Sequence, residues 1–156
     1  MSTKNKDLEL KNKLYHTCVQ ELESKVQSVL LVLSDLRASA ANETKSTAGD
    51  KHETALAMLQ LEQENKRQQL KILQEQQAIL NRIDVNKITH QVGLGSLIKT
   101  STIWFYITVA LGKVTVDEQM IYVISAVSPL AKLLFGKQSG QSVSFQQNTY
   151  QIESLI

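Results

Sequence analysis

The sequence predicts an α+β protein, in which an N-terminal antiparallel α-helical coiled-coil hairpin precedes a small domain of strands and one helix. Two observations indicate this division. Residues 1–84 contain no proline and one glycine, whereas residues 85–156 contain the other five glycines and Pro129. The first segment carries 12 bases and 12 acids, and the second only 5 and 3. A chain with 5% aromatic residues also lacks the composition of an all-β protein. We therefore predict two domains, 1–84 and 85–156.

Charge and cysteine content restrict the function classes. Seventeen bases against fifteen acids give a net charge of +2, far below the excess of a free-standing nucleic-acid binder. Cys18 is the only cysteine, which excludes an internal disulfide and fits a reducing cytoplasm. No apolar run approaches the 18–20 or so residues of a membrane span, and the first residues lack the apolar core of a signal peptide. We expect a cytoplasmic protein without a membrane partner.

Apolar residues of the first segment recur with the period of a coiled coil. They are Leu8, Tyr15, Leu22, Val29 and Leu36, with Val19, Val26 and Leu33 between them. The pattern stops at Ala38, a small and polar stretch follows, and helical character resumes after Asp50. Two helices joined in this way predict a hairpin with its tip near 39–53. A helical dimerisation arm and a four-helix bundle formed with a partner chain remain open.

The second segment contains short apolar runs separated by turn residues, as expected for strands. The predicted strands are 97–100, 103–111, 114–116, 120–125, 143–145 and 150–152, with Trp104, Phe105 and Tyr106 in the sheet core. One short helix is predicted, with Ser128 as its N-cap, Pro129 at its first position and Gly136 as its terminator. Of Leu130, Leu133, Leu134 and Phe135, we expect most to be core and one or two to be exposed.

Two carboxylates at the predicted tip are the candidate chemical groups. Asp50 and Glu53 lie three residues apart, so both belong to the first turn of the returning helix. The same spacing is typical of a capping box, which needs no further function. Two carboxylates alone make a poor Mg²⁺ site, so a partner would have to supply the remaining ligands. The spacing of His16, Cys18, His52 and His90 matches no known zinc site.

Two stretches resemble the GreA/GreB family of bacterial transcript-cleavage factors. The tip reads Gly-Asp-Lys-His-Glu-Thr-Ala at residues 49–55, which resembles the family's Gly-Asp-x-x-Glu-x-Ala. Residues 128–140 (SPLAKLLFGKQSG) resemble the signature Ser-Pro-Ile/Leu-Ala-Lys/Arg-x-Leu-x-Gly-Lys-x-x-Gly of the family's C-terminal domain. The order of hairpin and C-terminal domain is also the same. The chain is thus similar to a divergent member of that family along nearly its whole length.

The resemblance implies a transcription elongation factor that binds RNA polymerase, with DNA binding among the associated properties. Its C-terminal domain would have the fold of FK506-binding prolyl isomerases and would hold the rim of the polymerase secondary channel. The implied partner-binding residues are Ser128, Pro129, Leu130, Lys132, Gly136 and Lys137. The hairpin would carry Asp50 and Glu53 to the polymerase active site, where they would share a Mg²⁺ ion and promote cleavage of a backtracked transcript.

In this view the protein is not itself an enzyme and has no cofactor of its own. It would be a monomer, would contact nascent RNA indirectly, and would have no small-molecule substrate. The sequence departs from the family at Thr54–Ala57, where Asn-Ala-Glu-Tyr is usual, at the longer polar stretch 39–48, and at Gln141 in place of Asp. We therefore expect polymerase binding ahead of cleavage stimulation.

Three alternatives stay open. In the first, the protein would occupy the secondary channel of RNA polymerase without promoting cleavage and would thereby regulate transcription. It can instead be a coiled-coil structural adaptor unrelated to polymerase. The third alternative, a prolyl isomerase, has only the analogy of fold to support it.

Overall fold

The computed structural model describes residues 3–44 and 49–156, and for residues 44, 49 and 50 it describes the backbone only. Two long helices come first, followed by six strands and a short third helix. The elements are α1 Thr3–Thr44, α2 Gly49–Asn81, β1 Leu97–Thr100, β2 Trp104–Thr108, β3 Gly112–Val116, β4 Gln119–Ser125, α3 Pro129–Leu134, β5 Ser142–Phe145 and β6 Asn148–Leu155. The predicted α+β class, with a helical hairpin ahead of the sheet, is confirmed.

The chain forms two compact units. One consists of Met1–Val19 together with Ile79–Ile156 and contains the sheet; the other consists of Gln20–Ala78 and contains most of both long helices. We call them the sheet unit and the hairpin unit. The domain boundary predicted after residue 84 stays a prediction. In the part of the chain that the structure describes, no helix has both the length and the hydropathy to cross a membrane.

The hairpin unit is held by the apolar stripe of α1. Leu22, Val26, Val29 and Leu33 are buried, at the spacing of three and four residues that the heptad pattern predicts. The two helices run antiparallel. Glu23 contacts Gln77 near the end of α2, whereas Glu43 contacts His52 near its start. Such a stripe cannot be buried by one helix alone, so α2 is needed to cover it.

The middle of α2 contributes a polar residue to this interface. Gln63 is buried, within the stretch 62–69 that is too polar to form an apolar seam. Leu73 is buried in the more apolar part of α2 that follows. Met58, in contrast, lies on the outside of the hairpin unit and is 68% exposed.

The first helix is longer than its sequence pattern predicts. The apolar periodicity stops at Ala38, but α1 continues to Thr44. The added residues, 39–44, contain two alanines and neither glycine nor proline, so the helix can continue without an apolar stripe. The predicted tip is therefore partly helical, and residues 45–48 lie outside the described part of the chain.

The six strands form one mixed sheet in the order β3-β4-β2-β1-β6-β5. Neighbours are antiparallel except β2 and β4, which are parallel. All six predicted strands are found, each with its ends within three residues of the predicted ends. β2 is shorter than predicted, because it ends at Thr108. The tight turns at 117–118 and 146–147 have positive φ at both residues, which is the geometry of two-residue hairpins.

Both faces of the sheet are covered. Ile98, Phe105 and Ile107 point to the face that contains the buried residues of α3, namely Ala131 and Leu134. The alternating neighbours Leu97, Tyr106 and Thr108 are buried on the opposite face. Burial raises the pKa of Tyr106, and the nearby Cys18 and Tyr15 of α1 add to this effect, so this part of α1 lies on the opposite face.

Polar contacts also attach the beginning of α1 to the rest of the sheet unit. Lys13 Nζ lies 2.7 Å from Asp117 Oδ2, in the turn between β3 and β4, and Tyr15 Oη donates a hydrogen bond of 3.0 Å to the carbonyl of Leu80. The ion pair is more than half exposed, so its contribution to stability is small. Burial of Leu14 and Cys18 contributes more.

Lys11 is an exception among the lysines because its side chain is 1% exposed. Its Nζ donates a hydrogen bond of 3.3 Å to the carbonyl of Lys87. Burial lowers the pKa of Lys11 from 10.5 to about 8, and the negative charge of Asp84 opposes this shift. Since the ammonium group is desolvated and receives little compensation, it destabilises the fold while it stays charged.

The buried stripe of α1 is tested by Leu22→Ala. Leu22 is fully buried, so we expect the variant to lower the free energy of unfolding by about 2–4 kcal/mol in urea denaturation. Leu31→Ala is the matched control on the same helix, because Leu31 is 65% exposed and its loss should cost about 0.5 kcal/mol or less. Equal effects of the two substitutions would contradict the packing described.

Lys11→Met tests the cost of the buried charge. The native state binds this proton less tightly than the unfolded chain, so the free energy of unfolding rises with pH between about 8 and 10.5. At pH 7 we expect Lys11→Met to be more stable than the parent by about 1–3 kcal/mol, and this advantage to shrink by pH 10. Lys71→Met, at an exposed position of α2, is the control. A less stable Lys11→Met at pH 7 would show that the charge is well compensated.

Candidate functional site

The segment that resembles the family signature folds around α3. Ser128 precedes the helix in an extended conformation, and its side-chain oxygen accepts a hydrogen bond of 3.3 Å from the backbone N–H of Ala131. The same hydroxyl donates to the carbonyl of Ser125 at 2.7 Å. Pro129 occupies the first turn, where its missing N–H costs nothing. The predicted N-cap and first-turn proline are both found.

Gly136 ends α3 as the sequence predicts. Its φ of +76° is the left-handed conformation that a helix terminator adopts, and glycine adopts it without strain. Its N–H donates to the carbonyl of Val92 at 2.9 Å, and Val92 N–H donates to the carbonyl of Lys137 at the same distance. These bonds attach the end of α3 to the chain ahead of β1.

The six-residue helix has one buried side and one exposed side. Ala131 and Leu134, three residues apart, are fully buried, and Leu130 is partly buried against the same core. Leu133 is 45% exposed and Phe135 is 39% exposed. The expectation that one or two of these apolar residues would be exposed is confirmed.

Two further exposed residues extend this apolar surface. Val127, just before α3, is 75% exposed, and Lys132 is also exposed. We call Val127, Lys132, Leu133 and Phe135 the α3 surface. The structure places all six predicted partner-binding residues: Ser128, Pro129 and Gly136 shape α3, Leu130 packs inward, Lys132 is exposed and Lys137 is partly buried. Val127 was not predicted, because an isolated valine in a turn has no sequence signal.

Gln141, which stands where the resembled family usually has Asp, closes a turn with Gln138. Its side-chain oxygen accepts a hydrogen bond of 2.7 Å from the N–H of Gln138, and its own N–H donates to the carbonyl of Gln138 at 3.1 Å. Gly140 has a φ of +92° in the same turn. The departure from the family residue therefore leaves an acceptor oxygen at this turn.

The two predicted tip acids lie in the first turn of α2. The helix begins at Gly49, so the backbone of Asp50 is already helical, whereas its side chain lies outside the described part of the structure. Glu53 is exposed one turn into the helix. The alternative of a capping box depends on the side chain of Asp50, which lies outside the described residues, and stays a prediction.

A contact that the sequence did not predict closes the hairpin near these acids. His52 Nδ1 lies 3.1 Å from Glu43 Oε2, which joins the last turn of α1 to the first turn of α2. Both side chains are partly buried. Because Glu43 and His52 belong to different helices, this pairing helps to define which residues meet at the end of the hairpin unit.

Metal-ligating side chains are not grouped within the described residues. No set of three or more His, Cys, Asp or Glu side chains there is placed to hold an ion. His16 and Cys18 are two residues apart on α1, and the Cys18 thiol is buried. The shared Mg²⁺ expected at Asp50 and Glu53 stays a prediction.

The chain shows little similarity to known proteins. No protein-family model matches the chain, and no curated protein sequence matches it. Among solved structures, the structure of the transcription factor Gfh1 is similar at 16% sequence identity, over 94% of this chain and 93% of that chain, with a TM-score of 0.33.

Ser128→Ala tests the N-cap of α3. Loss of the capping hydroxyl removes hydrogen bonds to two backbone groups, so we expect thermal denaturation to show a loss of about 1 kcal/mol in the free energy of unfolding. Ser142→Ala, at an exposed position of β5, should change stability by about 0.5 kcal/mol or less. A Ser128→Ala variant as stable as this control would show that the cap does not hold α3.

Proposed function

We propose that this protein is a Gre-like regulator of transcription elongation that binds RNA polymerase at its secondary channel. The observation that carries the proposal is the α3 surface. The segment with the family signature folds into a capped helix that leaves Leu133 and Phe135 exposed. Exposed apolar residues that form a patch are typical of a protein-binding surface.

The two long helices supply the second support. A 33-residue helix such as α2 is about 50 Å long, which is the reach that a factor needs to enter a deep channel. Its first turn carries Asp50 and Glu53, with Glu53 exposed to solvent. Under the proposal, the hairpin unit brings these carboxylates to the catalytic centre of the polymerase.

The chemistry fits a shared metal site and not an independent one. Asp50 and Glu53 would hold a Mg²⁺ ion together with polymerase groups, and the ion would activate water for phosphodiester hydrolysis. Two carboxylates from one helical turn supply two of the roughly six oxygen ligands that Mg²⁺ requires. The protein thus contributes ligands and is not an enzyme by itself.

A second candidate function is occupation of the channel without cleavage. The residues after Glu53 favour it, because Thr54, Leu56 and Ala57 replace the amide, acid and aromatic residue that the family uses there. Binding and regulation would remain, since they depend on the α3 surface and the hairpin. The two functions differ in whether the protein shortens the transcript in a stalled complex.

The donated carboxylates are tested by Asp50→Asn combined with Glu53→Gln. In stalled complexes of RNA polymerase from the source organism, we expect the parent to promote 3′ cleavage and the double variant to lose about 100-fold or more of this activity while binding as before. Glu62→Gln with Glu75→Gln removes two exposed acids elsewhere on α2 and should keep the activity.

Each outcome of this assay decides one point. Cleavage by the double variant at the parent rate would contradict donation of the acids. A parent that binds polymerase and shortens no transcript would establish the non-cleaving function. A parent that does not bind would contradict the proposal as a whole and return the structural adaptor to consideration.

The α3 surface is tested by Leu133→Ser combined with Phe135→Ser. Both side chains are exposed, so we expect the fold to persist and the affinity for RNA polymerase to fall about tenfold or more in a direct binding assay. Met120→Ser, at an exposed apolar position of β4, is the control and should bind like the parent. Unchanged binding of the α3 variant would show that polymerase does not contact this surface.

A further inference from the structure

The sheet unit contains a cavity that the proposed function does not use. Its volume is about 430 Å³, within the range of small-molecule sites. Lys11 of α1 lines it, together with Arg82, Asp84 and Lys87 of the segment after α2 and with the turn that precedes β1. Residues from three separated parts of the chain thus meet around one space.

The charge of the cavity is strongly one-sided. Lys11, Arg82 and Lys87 are basic, and Asp84 is the single acid among the lining residues that the structure describes. No salt bridge joins Asp84 to any of these bases within residues 3–44 and 49–156, although its charge acts on Lys11 at longer range. The Asp84 carboxylate instead accepts a hydrogen bond from Asn86 N–H at 3.0 Å. The positive charge is therefore not neutralised by the protein.

Lys11 is the most unusual member of this group. Its ammonium group has three protons to donate, and the structure gives it one hydrogen bond, to the carbonyl of Lys87. A methionine would fill the same space without the cost of a buried charge. A charge retained at such a cost, beside an open cavity, indicates a negative ligand that would compensate it.

The turn before β1, residues 93–96, lines the cavity and packs closely against Ile83. A Cβ on Gly95 would lie 3.0 Å from Ile83 Cγ2, so the backbone approaches Ile83 as only glycine allows. Next to it Ser96 is buried, and its hydroxyl oxygen accepts a hydrogen bond of 2.9 Å from Gly93 N–H. The hydrogen bond and the close contact with Ile83 therefore hold this turn in one conformation.

We propose that this cavity binds a small molecule through a di- or triphosphate group held by Lys11, Arg82 and Lys87. Three bases against one acid leave two positive charges, which matches the charge of a polyphosphate better than that of a single carboxylate. Arginine can contact two phosphate oxygens at once, and lysine supplies a point charge. The site lies within the sheet unit and does not rest on polymerase binding.

The experiment is calorimetric titration of the full chain with inorganic pyrophosphate. We expect saturable binding to the parent and an affinity reduced about tenfold or more in Lys11→Met, which loses a charge-assisted contact. Arg82→Gln should weaken binding about threefold or more, since this side chain is exposed. Lys71→Met, which removes an exposed charge of the hairpin unit, should bind like the parent.

Lys11→Met is expected to be well folded, so a loss of binding cannot be assigned to unfolding; circular dichroism checks this. No saturable binding by the parent, or equal affinity of parent and Lys11→Met, would overturn the proposal. Succinate binding as tightly as pyrophosphate would overturn the phosphate class. Titration with ADP separates the sources: tighter binding of ADP supports a nucleotide, and tighter binding of pyrophosphate supports free polyphosphate. Neither arm requires polymerase.

Discussion

The packing of the apolar stripe of α1 against α2 is the interaction on which the candidate tip depends. A helix with one apolar side must cover it, and here the covering element is the next helix of the same chain. Burial of residues such as Val26 and Leu33 sets the register of the two helices. The register in turn brings Glu43 opposite His52, so that Glu53 lies in the turn of α2 beside the end of α1. The defined position of the exposed Glu53 carboxylate is thus a consequence of apolar packing some distance along the hairpin.

The α3 surface depends on a similar division between the two sides of a helix. Ala131 and Leu134 lie three residues apart and are buried in the core of the sheet unit, which fixes the rotation of α3. The cap at Ser128 and the turn at Gly136 fix where the helix begins and ends. Leu133 is exposed because it projects from the side of α3 that faces away from Ala131. Some residues of this segment therefore build and anchor the helix, whereas others, such as Lys132 and Leu133, stay exposed on its surface.

The sequence predicted what local patterns determine. The heptads predicted the hairpin, and the capping serine, the proline and the terminating glycine predicted α3. Both predictions succeeded because each pattern acts within a few residues. The heptad pattern places the end of α1 too early. The helix continues through residues 39–44, although these residues carry no apolar stripe. The buried position of Lys11 could not be predicted, because a lysine is normally exposed and its burial depends on residues more than 70 positions away. The same holds for the parallel pairing of β2 with β4 and for the contact between Glu43 and His52.

The most direct test of the account is a map of what the first turns of α2 touch in the presence of RNA polymerase. A photo-crosslinking residue at position 57, which is exposed on α2, can be compared with the same residue at position 71, exposed further along the helix. The account predicts that position 57 crosslinks to polymerase segments around its catalytic centre and that position 71 crosslinks to segments nearer the channel entrance. Crosslinks from position 57 to a second copy of this chain alone, or none to polymerase, would contradict it.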